Sequence, residues 1–441
     1  MKHLSLFIFL FFALNICAQT GDNYIDNLLK VPSTPDVLRT NGSNWTNPMQ
    51  NTSAPTMQQQ IQMQNNRIIE QYYRELAEYE QNERNKRQAY LNHLVNRGFP
   101  SQAHRAGTQN FRNAFAEIDS MLQGKKELNF ARALFLVENC YYDNQLKYSD
   151  YQNFIKRKVD LCNQKIKEER LNSKNNMVKN MMIFRLISDT LVFKMTINEQ
   201  TKYHLPIRYD YDDYKSEKNY DSHFVTKLMQ SGVGQCLSMP LYYLILAEAM
   251  GAEAYLAFSP HHSFIKIKDE NGRWHNLELT CNSILSDAHY VNHSYIKAEA
   301  IRNRLYLEPL DKKQVIAEML VRLGGIYREK YDYDDFYLKC AETAEQYLDN
   351  KLHTVKMKAA YKTALTTDIA KMVGARNGDE LKAKVPQAYF YHQEMLNLYK
   401  QIDDMGYEET PVSIYESWLE HIAKQKGEYE NRRKQFFNQI K

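Results

Sequence analysis

The stretch from Ser231 to Thr280 decides the fold, and it reads SGVGQCLSMPLYYLILAEAMGAEAYLAFSPHHSFIKIKDENGRWHNLELT. Glycines precede Cys236 in this stretch. The apolar run 237–250 that follows Cys236 stops at Gly251, and this pattern predicts a buried helix. Three segments with strand-like patterns come next, namely 254–258, a segment that begins at His262, and 274–280. The stretch therefore predicts a helix followed by neighbouring strands.

A thiol, an imidazole and a carboxylate occupy defined places in this pattern. Cys236 stands at the start of the predicted helix, where the partial positive charge and unpaired N–H groups lower the pKa of a thiol. His262 and Glu278 fall on neighbouring strands, because Asn271-Gly272 between them is a strong hairpin signal. We therefore predict Cys236 as nucleophile, His262 as general base and Glu278 as the acid that orients the imidazole.

Attack of a thiolate on a carbonyl also needs hydrogen-bond donors for the oxyanion that forms. The backbone N–H of Cys236 is one predicted donor. The side chain of Gln235 is the candidate for the second, because it is the adjacent residue in the chain.

The order of these residues resembles the transglutaminase-like superfamily, which has a papain-type cysteine fold. The resemblance rests on Cys236 at a helix start, on His262 before a hairpin and on the W-x-x-x-[D/E]-x-T pattern of 274–280. The SirB1-like branch is the most similar, through Ser238, Tyr243-Leu244, Ala247, Gly251 and the Pro260 that precedes the histidine pair. The resemblance covers roughly residues 129–280 and implies an α+β fold with the same three catalytic residues.

One residue departs from the pattern of that family, whose third catalytic member is usually aspartate. Glu278 must therefore reach one methylene further to meet His262. The resemblance implies a cysteine enzyme that acts on amide bonds of a protein or peptide substrate, as a peptidase or an acyl transferase. Many relatives in the SirB1-like branch lack the cysteine, so the alternative is a catalytically silent protein of the same fold that serves as a binding scaffold.

The N-terminus has the pattern of an export signal. Lys2 precedes the nearly continuous apolar run 4–16, which is shorter than the roughly 20 residues of a membrane-spanning helix. Cys17-Ala18 before Gln19 fits a cleavage site. We therefore expect an exported protein, periplasmic or extracellular, with no membrane span after cleavage of the signal.

The remaining composition divides the chain into further segments. The Asn-, Gln-, Thr-, Ser- and Pro-rich stretch after the signal predicts a disordered stem, and a strongly helical pattern follows from Arg67 to Arg97. The predicted organisation is a signal peptide at 1–18, a disordered polar stem at 19–65, a helical region at 66–127, a transglutaminase-like domain at 128–305 and an all-helical, repeat-like domain at 313–441.

The last of these segments resembles tetratricopeptide repeats, since Leu323, Gly324 and Tyr327 match the L-G-x-x-Y core of such a repeat. A plain helical bundle is the alternative for the same pattern. In either form the C-terminal helices are expected to bind a peptide partner or to stabilise the chain.

Charge and composition exclude other classes of function. The 441 residues include 57 basic and 53 acidic ones, a net charge of +4, which gives no electrostatic case for binding nucleic acid. An apolar content of 43% suffices for a core, while a mean hydropathy of −0.64 argues against an integral membrane protein.

Two smaller expectations concern metal ligands and one acidic residue. Cys281, His289 and His293 are residue types that bind zinc, but no further acidic or thiol ligand stands at a suitable spacing. We therefore expect no metal and no cofactor. Glu138, near the end of the helix predicted over 128–140, is expected to be a surface group, and the alternative is an acid that supports the catalytic residues from behind.

Overall fold

The computed structural model describes residues 56–194 and 201–409, together with the single residues 411, 414, 424 and 427. The described residues fall into two compact units, 56–97 and 98 onwards. The predicted signal peptide at 1–18 lies outside the described residues, as do most of the predicted stem and most of the predicted helical domain after residue 409.

The first unit is one long helix, α1 (Met57–Arg97). It begins ten residues before the predicted start at Arg67, so residues 57–65, which the sequence pattern assigned to the disordered stem, are helical. The reason is a reciprocal cap: the Thr56 N–H donates to Gln59 Oε1 at 2.9 Å and the Gln59 N–H donates to Thr56 Oγ1 at 3.4 Å. The glutamines and methionines that follow are good helix formers despite the polar composition.

The second unit opens with helices and ends with helices, and three small sheets lie between them. The opening helices are α2 (Thr108–Leu122), α3 (Phe130–Tyr141), α4 (Tyr148–Glu168) and α5 (Asn176–Ser188). Two short sheets follow, the antiparallel pair β1 (Leu191–Lys194) and β2 (Thr201–His204) and the parallel pair β3 (Arg208–Tyr209) and β4 (Val233–Gly234). Between β3 and β4 lie a single 3₁₀ turn (Tyr220–His223) and helix α6 (Val225–Ser231).

Helix α7 (Ser238–Met250) and a four-stranded antiparallel sheet come next. The strands of that sheet lie in chain order: β5 (Tyr255–Ser259), β6 (His262–Lys268), β7 (Trp274–Glu278) and β8 (Ser283–Leu285). The closing helices are α8 (Asp287–His293), α9 (Ala298–Arg302), α10 (Lys312–Tyr331), α11 (Asp335–Glu345), α12 (Leu352–Val373), α13 (Gly378–Lys384) and α14 (Pro386–Asp404). The described residues thus form a helix-rich α+β fold.

Helix α7 is the centre of the second unit, as its apolar composition predicts. Its first ten residues are buried, and it packs against α4 and α5 and against strands β5 and β6. Pro240 lies in the first turn, where a missing N–H removes no helical hydrogen bond, and Gly251 ends the helix in the left-handed conformation at φ 60°. The hydroxyl of Tyr243 is satisfied by Asn180 of α5 at 2.8 Å.

The two hairpins of the four-stranded sheet also agree with the sequence pattern. Strands β5 and β6 are joined by Pro260-His261 alone, with Ser259 paired to His262. Strands β6 and β7 are joined across the predicted Asn271-Gly272 turn, where Gly272 has φ 76°. The positions of these two turns determine which residues begin β6 and β7.

The closing helices pack on the opening ones, with α10 lying against α2, α3 and α11. Gly324 of α10 lies at a close approach between helices, because a Cβ there would lie 2.6 Å from Met357 Cε and 3.1 Å from Cys340 Cβ, and both neighbours would have to shift. The tetratricopeptide-like identity of these helices, and their separation from the preceding domain near residues 305–313, stay predictions.

Glu138 is fully buried rather than on the surface, so that prediction was wrong. Its carboxylate accepts hydrogen bonds from the N–H groups of Val225 and Thr226, each at 2.8 Å, and thereby caps the N-terminus of α6. Arg322 of α10 lies 3.6 Å away. The carboxylate accepts hydrogen bonds from groups that are distant in the chain. The helical pattern over 128–140 does not reveal such partners.

None of the helices formed by residues that the structure describes is both long enough and apolar enough to cross a bilayer.

We predict that Glu138→Ala destabilises the fold by about 3–5 kcal/mol, because it leaves Arg322 buried without its partner and removes the cap of α6. Urea unfolding followed by circular dichroism measures the loss. Glu127→Ala, at an exposed position just before α3, is the matched control and should change stability by less than about 0.5 kcal/mol. Equal stability of the two variants would contradict the structural role of Glu138.

Candidate functional site

Cys236 lies two residues before α7, in a backbone held from several sides. The Gln235 N–H donates to Ser238 Oγ at 2.9 Å, and Ser263 Oγ of β6 donates to the Cys236 carbonyl at 2.6 Å. The second bond ties the backbone of the predicted nucleophile to the strand that carries the predicted base. Cys236 is only 4% exposed.

His262 brings the imidazole to this thiol. It opens β6 directly after His261, whose left-handed backbone (φ 56°) makes the two-residue turn. The ring lies close enough to Cys236 for the sulfur to help raise its pKa, and its Nε2 donates to Glu278 Oε2 at 2.6 Å. Because Nε2 is engaged by the carboxylate, Nδ1 is the ring nitrogen left for the sulfur. The His262 side chain is 18% exposed, so the pair reaches solvent through the imidazole.

Glu278 meets His262 along a diagonal of the sheet. Ile265 pairs with Leu277 across β6 and β7. When this register is continued toward the start of β6, Glu278 lies on the same face of the sheet as His262 and is displaced from it by two residues along the strand. Diagonal neighbours are about 7–8 Å apart, a distance that favours a long side chain. The extra methylene of glutamate, relative to the aspartate of the resembling family, serves this reach.

Three more donors hold the Glu278 carboxylate. The N–H and Oγ1 of Thr280 donate to Oε1 at 3.0 and 2.7 Å. The hydroxyl of Tyr290 donates to Oε2 at 2.9 Å. Both oxygens of this buried carboxylate therefore have partners, which an ionised carboxylate in a protein interior requires.

The electrostatics favour an imidazolium–carboxylate pair. Burial alone would lower the pKa of His262, but the charge of Glu278 and the hydrogen bonds to Cys236 and Glu278 together raise that pKa well above its ordinary value. Burial would raise the pKa of Glu278, but the His262 charge and the bonds from His262 and Thr280 lower it to about 2. These interactions therefore favour the protonated form of His262 and the ionised form of Glu278.

Gln235 is placed differently from the prediction that its side chain is an oxyanion donor. Its amide NH₂ donates to the carbonyl of Asp213, and its amide oxygen accepts from Ser216 Oγ at 2.9 Å. The side chain is buried and anchors the loop between β3 and α6. The Cys236 N–H, by contrast, donates to no other group among the residues that the structure describes, so it is available for an oxyanion.

Sequence reasoning missed four residues that shape the site. Ser263 and Thr280 were visible in the motif stretch, but nothing in a single sequence shows which backbone or carboxylate they bond. Tyr290 carries no local signal at all. Tyr209, on β3 beside Gly234, is buried close enough for the charges of Cys236 and Glu278 to add to burial in raising its pKa.

The three residues of zinc-binding type do not assemble. The rings of His289 and His293 stack at 4.4 Å, and the His293 ring bonds the carbonyl of His289 at 2.8 Å. No group of three or more potential metal ligands occurs in the described part of the chain. Cys281 lies beside the Glu278 carboxylate and bears a free thiol, as do Cys140, Cys162, Cys236 and Cys340.

Comparison with protein-family models, with curated proteins and with solved structures finds no match for this chain.

We predict that Glu278→Gln costs about 3–5 kcal/mol of stability, because it leaves a buried imidazolium without its counter-charge. The depressed pKa of Glu278 contributes stability above about pH 4.5 that is lost as pH falls toward 2. The raised pKa of His262 contributes stability below about pH 6.5 that is lost as pH rises through the folded-state value.

The difference between wild type and Glu278→Gln should therefore be largest between about pH 4.5 and 6.5 and should shrink on both sides. Chemical unfolding at a series of pH values measures it, with the exposed Glu299→Gln as control. A difference that does not vary with pH would show that no ion pair forms.

Proposed function

We propose that this protein is a cysteine enzyme of transglutaminase-like, papain-like fold that acts on amide bonds of a protein or peptide substrate. One observation carries the proposal: His262 bonds Glu278 through Nε2 at 2.6 Å and lies close enough to Cys236 for the sulfur to help raise its pKa. The thiol precedes a 13-residue helix, whose N-terminal dipole favours a thiolate. The exported location predicted from residues 1–18 is part of the same proposal.

In the proposed reaction, the Cys236 thiolate attacks the amide carbonyl, a sulfur–carbon bond forms, and the carbonyl electron pair moves onto oxygen. The Cys236 N–H donates to that oxyanion. His262, protonated, gives its proton to the leaving nitrogen as the carbon–nitrogen bond breaks, and a thioester remains. Water or an amine then attacks the thioester, His262 accepts the proton of the attacking group, and the thiolate leaves.

Glu278 supports both halves of this cycle without taking the proton. Its charge stabilises the imidazolium, and its bond to Nε2 directs Nδ1 toward the sulfur. The carboxylate is itself held at both oxygens, so it offers a fixed partner rather than a mobile one.

The second candidate is a catalytically silent scaffold, and the low exposure of Cys236 favours it. In that account the three residues stabilise the fold, and the helices from α10 to α14 hold a peptide partner. The two functions predict different accessibility and different nucleophilicity of the Cys236 sulfur.

We predict that iodoacetamide alkylates Cys236 rapidly at pH 7 and that His262→Ala slows this reaction about a hundredfold, since the variant removes the group that ionises the thiol. Peptide mass spectrometry of time points measures the rate at Cys236 alone. His104→Ala, at an exposed histidine before α2, is the matched control and should leave the rate unchanged. Equal, slow alkylation in all three proteins would favour the scaffold.

A further inference from the structure

Helix α8 (Asp287–His293) is tied to the sheet at residues distributed along two strands. Alternation along β6 and β7 sets His262, Lys266, Asn276 and Glu278 on one face of the sheet. Side chains of α8 bond three of these four residues, which indicates that the helix does more than connect β8 to α9.

One bond from α8 reaches the candidate triad. The Tyr290 hydroxyl donates at 2.9 Å to Glu278 Oε2, the same oxygen that accepts the 2.6 Å bond from His262 Nε2. The Tyr290 ring is buried and stacks on Phe264 with 4.1 Å between centroids and 12° between planes. The stacking fixes where the hydroxyl points, because a tyrosine has only two side-chain torsions.

A second set of bonds fixes the helix itself, one turn before Tyr290. Asp287 Oδ1 accepts from Lys266 Nζ at 2.9 Å and from Asn276 Nδ2 at 2.8 Å. Lys266 is a buried lysine whose ammonium also donates to the Leu307 carbonyl at 2.9 Å. A buried ammonium requires such partners, so the Asp287 bond has a reason to persist.

We propose that Tyr290 is a positioning residue of the triad and that α8, anchored through Asp287, is the clamp that holds it against Glu278. This inference rests on the proposed function and adds a residue outside the three that the sequence motif contains.

The need for a clamp follows from the identity of the acid. Glutamate has one more side-chain torsion than aspartate, so its carboxylate is harder to hold in one place. Thr280 fixes Oε1 and Tyr290 fixes Oε2, which prevents rotation of the carboxylate and keeps Oε2 in line with His262 Nε2. Without Tyr290, Oε2 would have only the imidazole to orient it.

The other titratable groups near Glu278 do not supply this bond. His262 and Cys236 are the triad members being positioned, and Tyr209 and Cys281 interact with the triad electrostatically. Burial and the neighbouring Glu278 charge raise the pKa of Tyr290, so its hydroxyl keeps the donated proton through the neutral and mildly alkaline range.

Tyr290→Phe keeps the ring and removes only the hydroxyl. We expect the alkaline midpoint of the His262 titration to fall by about one pH unit, because a carboxylate that is no longer in line stabilises the imidazolium less well. NMR of ring-labelled histidine, with the resonance assigned through His262→Gln, measures the midpoint. Alkylation of Cys236 at pH 7 should slow about tenfold in the same variant. Tyr295→Phe, at a 40% exposed position of the next turn, is the control.

A midpoint that stays unchanged or rises in Tyr290→Phe would overturn the proposal, since a rise would mean that the hydroxyl only competes with His262 for the carboxylate. Asp287→Asn serves if Tyr290→Phe does not fold, because the 51% exposed side chain keeps an Oδ1 acceptor for Lys266 Nζ while the loss of its charge loosens the anchor. It should lower the midpoint by a smaller amount, and no change would again overturn the clamp. The titration does not depend on the reactivity of the thiol, so slow alkylation of wild-type Cys236 with a shifted midpoint would reject the enzyme and keep the clamp.

Discussion

The buried hydrogen bond between His262 and Glu278 is the interaction on which the rest of the site depends. Removing two charges from water costs several kcal/mol per ion, and their attraction offsets this only when the remaining lone pairs and protons are satisfied. Here the second carboxylate oxygen is bound by Thr280, and the first also accepts from Tyr290. These bonds favour the ion pair, and the imidazole lies close enough to Cys236 for the sulfur to help raise its pKa.

The fold supplies this arrangement through two rigid elements. Helix α7 is buried against helices on one side and strands on another, so the residues before its first turn have a fixed position. The Ser263 bond to the Cys236 carbonyl joins that position to β6, where His262 is the first residue. The β6–β7 register then determines where Glu278 lies. The candidate site is thus positioned by regular secondary structure.

Much of this was predictable because it rests on local patterns. The apolar run before Gly251 predicted α7, and the Asn271-Gly272 turn predicted the hairpin that carries the acid close to the imidazole. The rest depends on partners distant in the chain. Glu138 caps a helix that begins 87 residues later, and Gln235 bonds a loop 19 to 22 residues earlier. A single sequence contains no pattern for such pairs. The start of α1 was missed for another reason. The glutamine-rich composition indicated disorder, although Thr56 and Gln59 form a helix cap there.

The central claim is that His262 activates the Cys236 sulfur for nucleophilic attack, and reaction of Cys236 with 2,2′-dipyridyl disulfide at pH 5 tests that claim most directly. At this pH an ordinary thiol, with a pKa near 8.5, is almost entirely protonated and reacts slowly. The account predicts that Cys236 reacts at least about a hundredfold faster in the native protein than in the urea-unfolded chain. Native and unfolded protein reacting at the same rate would contradict it.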